Sequence, residues 1–337
     1  MSYTPIRKTK LLVIFPCYNE EEILRASYDK FIVFFELLID EDLIHPESKI
    51  CFVDDGSTDS TWQIIEEVKN AQIHALKLTN NFGHQKALLA GLETFRDKFD
   101  AYVTLDVDLQ DDYQIIVKML EKINGGYDIV YGARNDRSND SFFKRKTADW
   151  FYKFMLYLGV KTVPHHADFR LLNNKALKNF LEFSETHLFL RAIFPYIGLN
   201  HTVIHYKRNK RESGKSKYPL SKMMSFAWDG VTSFSVKPLR FILLMGVLST
   251  ILAILLMGWF TLQYLMGNTI SGWFSIIAII IFFGGIQTFA IGIIGEYVGK
   301  IFMQVKNRPR YIIEKKIEAE VRSEKLISLL QFSDSKW

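Results

Sequence analysis

From the N-terminus onward, short apolar runs alternate with longer stretches whose apolar residues recur every three to four positions. Leu11–Pro16 (LLVIFP) predicts a buried strand, and about Glu20–Leu38 predicts a helix. The alternation continues with strand Lys49–Val53, helix Asp59–Val68, strand Ala75–Leu78, helix Gln85–Phe95, strand Ala101–Leu105, helix Asp112–Ile123 and strand Asp128–Tyr131. Ser57, Thr58 or Asp59 is placed to cap the second helix, since a short side-chain oxygen can accept from the free amides of a first turn. This order predicts an α/β domain on a mostly parallel, Rossmann-like sheet covered on both faces. Ligands of such sheets bind at the carboxyl ends of the strands.

The pattern changes at Phe241. From there to Gly295, 55 residues contain no Asp, Glu, Lys, Arg or His. A buried core helix accounts for about 10–14 apolar residues and a membrane span for about 20. The run therefore predicts two transmembrane helices, about 241–266 and 272–294, joined by Gly267–Ser271. Lys237 and Arg240 precede the first, and Lys300, Lys306, Arg308, Arg310, Lys315 and Lys316 follow the second, while the turn carries no basic residue. By the positive-inside rule the N-terminal domain and both termini are cytoplasmic, and the chain is a multi-pass protein of the cell membrane. The first 30 residues hold no apolar stretch long enough for a signal peptide. The expected organisation is a cytoplasmic domain over 1–217, a juxtamembrane region over 218–240, the hairpin over 241–295 and a cytoplasmic tail over 296–337. Met223, Met224, Phe226 and Trp228 within Pro219–Val236 suit an interfacial amphipathic helix. A second aromatic helix, about Phe142–Leu158, is core or lipid-facing. The stretch from about Ile317 reads as a polar tail with an amphipathic helix.

Composition narrows the possibilities. With 337 residues, 48% hydrophobic, and a net charge of +5, the chain is neither disordered nor a polycation built to coat nucleic acid. Cys17 and Cys51 are too few for a disulfide framework and no Cys/His set has zinc spacing. His165 and His166 lack partners for a metal pair and read as loop residues. No GxGxxG or Walker A pattern occurs, which removes dinucleotide and P-loop chemistry.

Three strands end in acidic turns: Pro16–Glu21, Asp54–Asp59 and Asp106–Asp112. Asp106 and Asp108 can converge on one hard cation such as Mg²⁺, which takes oxygen ligands and keeps substrate phosphates in its shell. The competing reading is that both merely cap the following helix; Asp54 and Asp55 at a neighbouring strand end favour the cation. Farther on, Lys207–Lys217 holds six basic residues and one acid in 11 positions, shortly before the first span. Arg208, Arg211, Lys215 and Lys217 are candidates for phosphate, arginine as a bidentate fork and lysine as a point charge. A membrane-surface patch is the alternative. Glu296, at the end of the second span, is expected to pair with a nearby Lys or Arg.

PCYNEEE, VDDGSTDST, NNFGHQKALLAGL and LDVDLQDD resemble the nucleotide-sugar-binding half of family 2 glycosyltransferases, which have the GT-A fold. YGAR (Tyr131–Arg134), ADFRLL (Ala167–Leu172), SGKSKY (Ser213–Tyr218) and GEYVGKIFMQVKNRP (Gly295–Pro309) resemble the polyprenyl-phosphate glycosyltransferases with two C-terminal spans. The resemblance covers about residues 9–312. It implies that Pro16, Tyr18, Glu20 and Asp54 bind the donor nucleoside, and that Asp106 and Asp108 bind Mg²⁺ or Mn²⁺ with Gln110 as a third ligand. It places Arg134 at a phosphate near the acceptor, and Asp168 and Arg170 beside the transferred sugar. Val107, Asp112 and Tyr113 depart from the family's usual residues without changing a ligand.

The implied reaction moves a hexose from a nucleotide sugar to undecaprenyl phosphate, with inversion, to supply lipid-linked sugar for a surface glycan. UDP-glucose is the first expected donor and UDP-N-acetylglucosamine the second, with GDP-mannose still open. A lipid phosphate needs no general base, so Asp168 is expected to orient the sugar or a cationic neighbour. The resemblance further implies a homo-oligomer, as large as a tetramer, and a small membrane flippase as partner. Three other readings compete. A processive polysaccharide synthase would carry QxxRW, but Gln287 is followed by TFAI. A flippase subunit would carry ionisable groups within its spans, and these spans have none. A non-catalytic scaffold would have no reason to keep the paired aspartates and the basic loop.

Overall fold

The computed structural model describes residues 8–68, 70–134, 156–157, 159, 166–186, 190–207, 230–267 and 272–319. The chain divides into two compact units, one of Met1–Trp150, Lys161–Ser216 and Pro309–Trp337, the other of Phe151–Val160 and Lys217–Arg308.

In the first unit the order is β1 (Leu11–Cys17), α1 (Leu24–Asp40), β2 (Lys49–Asp54), α2 (Thr61–Glu67), β3 (Ile73–Leu78), α3 (His84–Thr94), β4 (Ala101–Thr104), α4 (Ile116–Asn124) and β5 (Ile129–Arg134). Then come β6 (His166–Asn173), α5 (Asn174–Leu181), α6 (Leu190–Ile197), β7 (His201–Tyr206) and, after the apolar hairpin, β8 (Ile313–Ile317). The strands make one eight-stranded sheet ordered β7-β5-β6-β4-β1-β2-β3-β8. The β1·β2, β1·β4, β2·β3 and β5·β7 pairs are parallel, while β6 and β8 run antiparallel to their neighbours. This is the mostly parallel sheet that the alternation of elements predicts, in keeping with the GT-A fold that the resemblance implies.

β1 is buried along its whole length, and its unbroken apolar run is that of a central strand covered on both faces. Helix α1 turns Leu24, Phe31, Phe35 and Leu38 inward at helical spacing. Helix α3 lies close on β1: a Cβ on Gly91 would stand 2.8 Å from Ile14 Cγ2. The antiparallel setting of β6 matters most for function. An antiparallel strand begins at the edge where its parallel neighbours end, so the first residues of β6 arrive beside the last residues of β4 and β5.

Several expected boundaries move. The first helix starts at Leu24, because Glu20–Ile23 form a turn. A 3₁₀ turn, Tyr113–Ile115, precedes α4. His166 opens β6 and is buried, so it is a strand residue and not part of a loop. Ile313–Ile317 pairs with β3 as an edge strand, so the segment after the hairpin contributes to the sheet.

In the second unit, α7 (Lys237–Leu265) opens with Pro238 in its first turn, where a missing amide costs nothing, and α8 (Trp273–Val305) follows. Both are long and apolar enough to cross a membrane, and no residue of α7 is buried against protein. An all-round apolar helix left uncovered by protein is a lipid-facing one. Helix α8 runs past the charge-free stretch. There Glu296 meets Lys300 at 3.9 Å, the pairing expected for it. Lys300 Nζ also donates to Ser233 Oγ at 3.1 Å, and Tyr297 OH donates to the Ser235 carbonyl at 2.6 Å.

Candidate active site

The loops after β1 and β2 are latched together by their own polar side chains. Asn19 N donates to Ser57 Oγ (3.0 Å), Thr58 N to Asn19 Oδ1 (2.9 Å), Glu20 N to Thr61 Oγ1 (2.8 Å) and Ser60 N to Glu21 Oε2 (3.0 Å). Asp59 Oδ1 accepts from Thr61 N at 3.0 Å in a local turn, but the N-cap of the second helix is Ser60, without a side-chain cap bond, so none of the three expected capping residues occupies that position. Gly56 makes the sharp turn at φ +67°, and a Cβ there would lie 2.4 Å from the carbonyl carbon of Asn80. Asp55 is buried, and its two oxygens accept from Phe82 N and Gly83 N, each at 2.8 Å. That fixes the start of α3 against the end of β2. Asp54 is fully buried too: Oδ1 accepts from Ser57 N at 3.3 Å, while Oδ2 has no hydrogen-bond donor among the described residues. Burial pushes the Asp54 and Asp55 carboxyls upward.

At the end of β4 stand four aspartates in seven positions, Asp106, Asp108, Asp111 and Asp112. Asp112 accepts from Gln114 N and caps the 3₁₀ turn, so the capping role falls to Asp112 and not to Asp106. Asp111 is buried in a two-pronged pair with Arg134 at the end of β5, with Nε–Oδ1 3.0 Å and Nη2–Oδ2 3.1 Å. Asp108 accepts from Gln110 Nε2 at 2.7 Å and from Gln110 N at 3.2 Å, in a turn where Leu109 takes φ +46°. No lysine or arginine among the described residues pairs with Asp106 or Asp108. Desolvation and the charges of Asp168, Asp111 and Asp108 outweigh the pull of His84 and push Asp106 up to about 6. Among the described residues no three His, Cys, Asp or Glu side chains form a closed metal cage.

Asp168, from the first half of β6, is the hub of a charged network. Its Oδ1 meets Arg170 Nη2 at 2.6 Å, and its Oδ2 meets Arg191 Nη2 at 3.2 Å and His84 Nε2 at 3.6 Å. The same His84 nitrogen lies 3.7 Å from Asp106 Oδ1, which joins the network to the β4 aspartates. Arg170 is completely buried, over the Phe194 ring at 4.7 Å. Burial alone would raise the Asp168 carboxyl, but His84, Arg191 and Arg170 hold it well below the usual carboxylate range. Burial would likewise depress the His84 imidazole, and Asp168 and Asp106 raise it instead.

The structure thus brings Asp106, Asp108, Gln110, Asp168, Arg134 and Asp54 to one edge of the sheet, with Tyr18 exposed and Glu20 half-buried in the β1 loop. Two residues stand elsewhere than expected. Pro16 is buried within β1, paired with Val53. Arg170 has no exposed surface to offer a phosphate and supports Asp168 from beneath. Arg208, Arg211, Lys215 and Lys217, most of the interfacial helix, and the stretch beyond Ala319 lie outside the described residues, as does the second aromatic helix apart from Leu156 and Tyr157. Two site residues escaped the sequence reading. His84 sat in plain sight in NNFGHQ; Arg191, in an apolar stretch far along the chain, left no signal.

A family model described as glycosyl transferase family 2 matches residues 12–198, and one described as GtrB C-terminal hairpin matches residues 237–301. The chain is 48% identical over 307 residues to the glycosyltransferase YkoT of Bacillus subtilis (strain 168), covering 90% of this chain and 91% of that protein. It is 37% identical over 310 residues to the SfII prophage-derived bactoprenol glucosyl transferase of Shigella flexneri, covering 91% and 98%. Against the prophage bactoprenol glucosyl transferase homolog of Escherichia coli (strain K12) the identity is 36% over 310 residues, covering 91% and 99%.

Proposed function

The chain belongs to glycosyl transferase family 2, and from that premise we propose that it transfers a hexose from a nucleotide sugar to a polyprenyl phosphate at the membrane surface. Undecaprenyl phosphate is the acceptor, and UDP-glucose is the first donor to test, ahead of UDP-N-acetylglucosamine and GDP-mannose. The observation that carries the reading is the pair Asp106 and Asp108 at the end of β4, which no lysine or arginine among the described residues neutralises, beside an Asp168 already engaged by Arg170, Arg191 and His84.

The residues present fit a divalent cation. Among the described residues Asp111 and Asp168 have arginine partners while Asp106 and Asp108 have neither lysine nor arginine, and Asp106 has only His84 at 3.7 Å, so negative charge is left where a cation would relieve it. Two carboxylates without a closed cage also match an ion that completes its shell with donor phosphates and water. With Mg²⁺ or Mn²⁺ bound, Asp106 and Asp108 would present the positive charge that a departing diphosphate requires. Gln110 holds Asp108 in place, which makes it a positioning partner as readily as a third ligand.

Asp54 Oδ2, buried without a donor among the described residues, is the acceptor that the nucleoside would satisfy, with the exposed Tyr18 following Cys17, the β1 residue that pairs with Asp54. The acceptor phosphate, with a second pKa of about 6, is largely a dianion at pH 7 and attacks the anomeric carbon unaided. One displacement inverts that centre. Asp168 is poorly suited to take a proton, being held ionised with both oxygens engaged; its work is to orient Arg191 and His84. Arg134, set by Asp111, supplies charge at the same edge. The pairing of β8 with β3 supports the reading that the segments before and after the two apolar helices lie on one side of the membrane. With basic flanks and two crossings, that side is the cytoplasm.

The test is to incubate membranes carrying the protein with undecaprenyl phosphate and labelled UDP-glucose, UDP-N-acetylglucosamine or GDP-mannose, with and without EDTA. A labelled, EDTA-sensitive glycolipid from one donor is expected; label in none, or label indifferent to EDTA, contradicts the reading.

A further inference from the structure

Resting on that reading for its assay, we infer that Arg310 is a positioning residue of the active site, acting through Glu93 at the rear of α3 on His84 at its front. Arg310 directly follows the GEYVGKIFMQVKNRP stretch, to which the proposed reaction gives no task, and precedes β8. Its Nη2 donates to Glu93 Oε1 and Oε2, each at 3.3 Å, and its Nη1 to the Phe183 carbonyl at 3.1 Å. Tyr311 OH adds a bond to Glu93 Oε2 at 2.9 Å. Only 18% of the Arg310 side chain is exposed, which sets this pair apart from the solvated surface pairs that contribute little. The segment that carries it is anchored in turn. Thr79 N donates to the Ile312 carbonyl at 3.0 Å, and β8 continues along β3.

These contacts close a frame around one wall of the site. The front of α3 has no side-chain cap of its own at Gly83; Asp55 holds it instead, accepting from Phe82 N and Gly83 N. In the same first turn Gln85 Oε1 accepts from Leu190 N at 3.1 Å. Phe183 and Leu190 bound the segment that leads from α5 to α6. One end of that segment is thus bonded to the front of α3, and the other, through Arg310, to its rear. Arg310 grips helix and segment together and so fixes the spacing between them. That spacing sets His84 on α3 against Arg191 on α6, which meet the same Asp168 Oδ2 at 3.6 and 3.2 Å. His84 also stands 3.7 Å from Asp106. Glu93 lies nine helical residues from His84, about 14 Å, along a helix whose Ala87–Leu92 are buried and which moves as one body. A misplacement of about 1 Å imposed from afar can cost about a hundredfold in rate.

The experiment uses the full-length protein in detergent with Arg310→Gln, Arg310→Lys, Glu93→Gln and His84→Ala, and with Arg310→Gln and Glu93→Gln each combined with His84→Ala. It measures kcat well below the unfolding temperature, the KM for each substrate, and hydrogen exchange of the His84–Leu88 and Leu190–Phe194 peptides. Arg310→Gln and Glu93→Gln are each expected to lower kcat at least about tenfold while both KM values stay within about twofold, with part of the loss recovered in Arg310→Lys. Because the effect runs through His84, either substitution should change kcat less than about twofold once His84 is alanine. Exchange should quicken in both peptides. A kcat within about twofold of wild type, the same fold loss with and without His84, or unchanged exchange in both peptides reduces Arg310 to a clamp for stability and overturns the inference. Should Arg310→Gln fail to fold, Glu93→Gln decides by the same criteria. A wild-type protein inactive with every donor overturns the proposed function instead, and the exchange measurement then decides the inference by itself, so the two failures are distinct.

Discussion

Replacing Asp168 by Asn separates a structural hub from a catalytic base. In the structure the carboxylate neutralises a fully buried Arg170 at 2.6 Å and meets Arg191 at 3.2 Å. Removing one member of a buried pair leaves the other charged without compensation, which costs about 3–5 kcal/mol. Asn keeps the shape and can still accept a hydrogen bond, so the lower end, about 3 kcal/mol, is expected. Arg170→Met should cost a similar amount, and the double variant less than the sum, with a coupling of about 2 kcal/mol. The sign with pH follows from the depressed carboxyl: its contribution is complete above the ordinary Asp range of about 4 and is lost only as pH falls through the lower folded value. The carboxylate's own titration thus leaves the difference between wild type and Asp168→Asn intact above about pH 5.5, while the part of it carried by His84, whose imidazole Asp168 raises, fades as pH rises through the His84 titration. Hydrogen exchange of β4 and β6 peptides in the intact protein reads the local opening free energy. Additive single-variant effects, or exchange in Asp168→Asn equal to wild type alongside lost turnover, would refute the hub and favour the base.

Two further predictions concern the frame. Gly56→Ala puts a Cβ 2.4 Å from the Asn80 backbone at φ +67°, adding about 1–2 kcal/mol for the left-handed conformation to the clash; a lower thermal midpoint by circular dichroism is expected, and an unchanged one contradicts the turn. His74 is buried, stacked on Phe95, and accepts from Ala319 N at 3.0 Å just beyond β8, and burial pushes its imidazole down to about 4. The neutral ring belongs to the folded state, so its contribution is complete above about pH 6.5 and falls toward pH 4, about 2 kcal/mol being lost by pH 5. Protection of β8 amides, corrected for intrinsic exchange, should drop over that range in wild type and not in His74→Phe; parallel curves would contradict it.

Much of the sheet was legible because β1, β2, β3 and β4 are central strands whose burial on both faces writes itself as continuous apolar runs. The later strands were not. β6 carries Asp168 and Arg170 at positions a hydrophobic pattern would fill, because an ion pair there replaces core packing. β8, with Glu314, Lys315 and Lys316 in five residues, is an edge strand that hydrogen bonds and flanking charges hold, including Lys77–Glu314 at 3.0 Å. Of the site, the aspartate spacing at the end of β4 was readable. Which aspartate was spoken for was not: Asp111 and Asp112 look like Asp106 and Asp108 until Arg134 and the 3₁₀ turn claim them. Arg170 illustrates the same limit, since sequence gives a charge but not its burial.

The central claim is that Asp106 and Asp108 hold the ion against which the donor diphosphate departs. Its most direct measurement is the initial rate of label transfer from the active nucleotide sugar to undecaprenyl phosphate by wild type, Asp106→Ala, Asp108→Ala and the double variant, across a titration of Mg²⁺ or Mn²⁺. Each variant should lose at least about a hundredfold in rate, with wild-type activity rising with metal and abolished by EDTA. Transfer by the double variant at the wild-type rate, or a wild-type rate independent of metal, would contradict it.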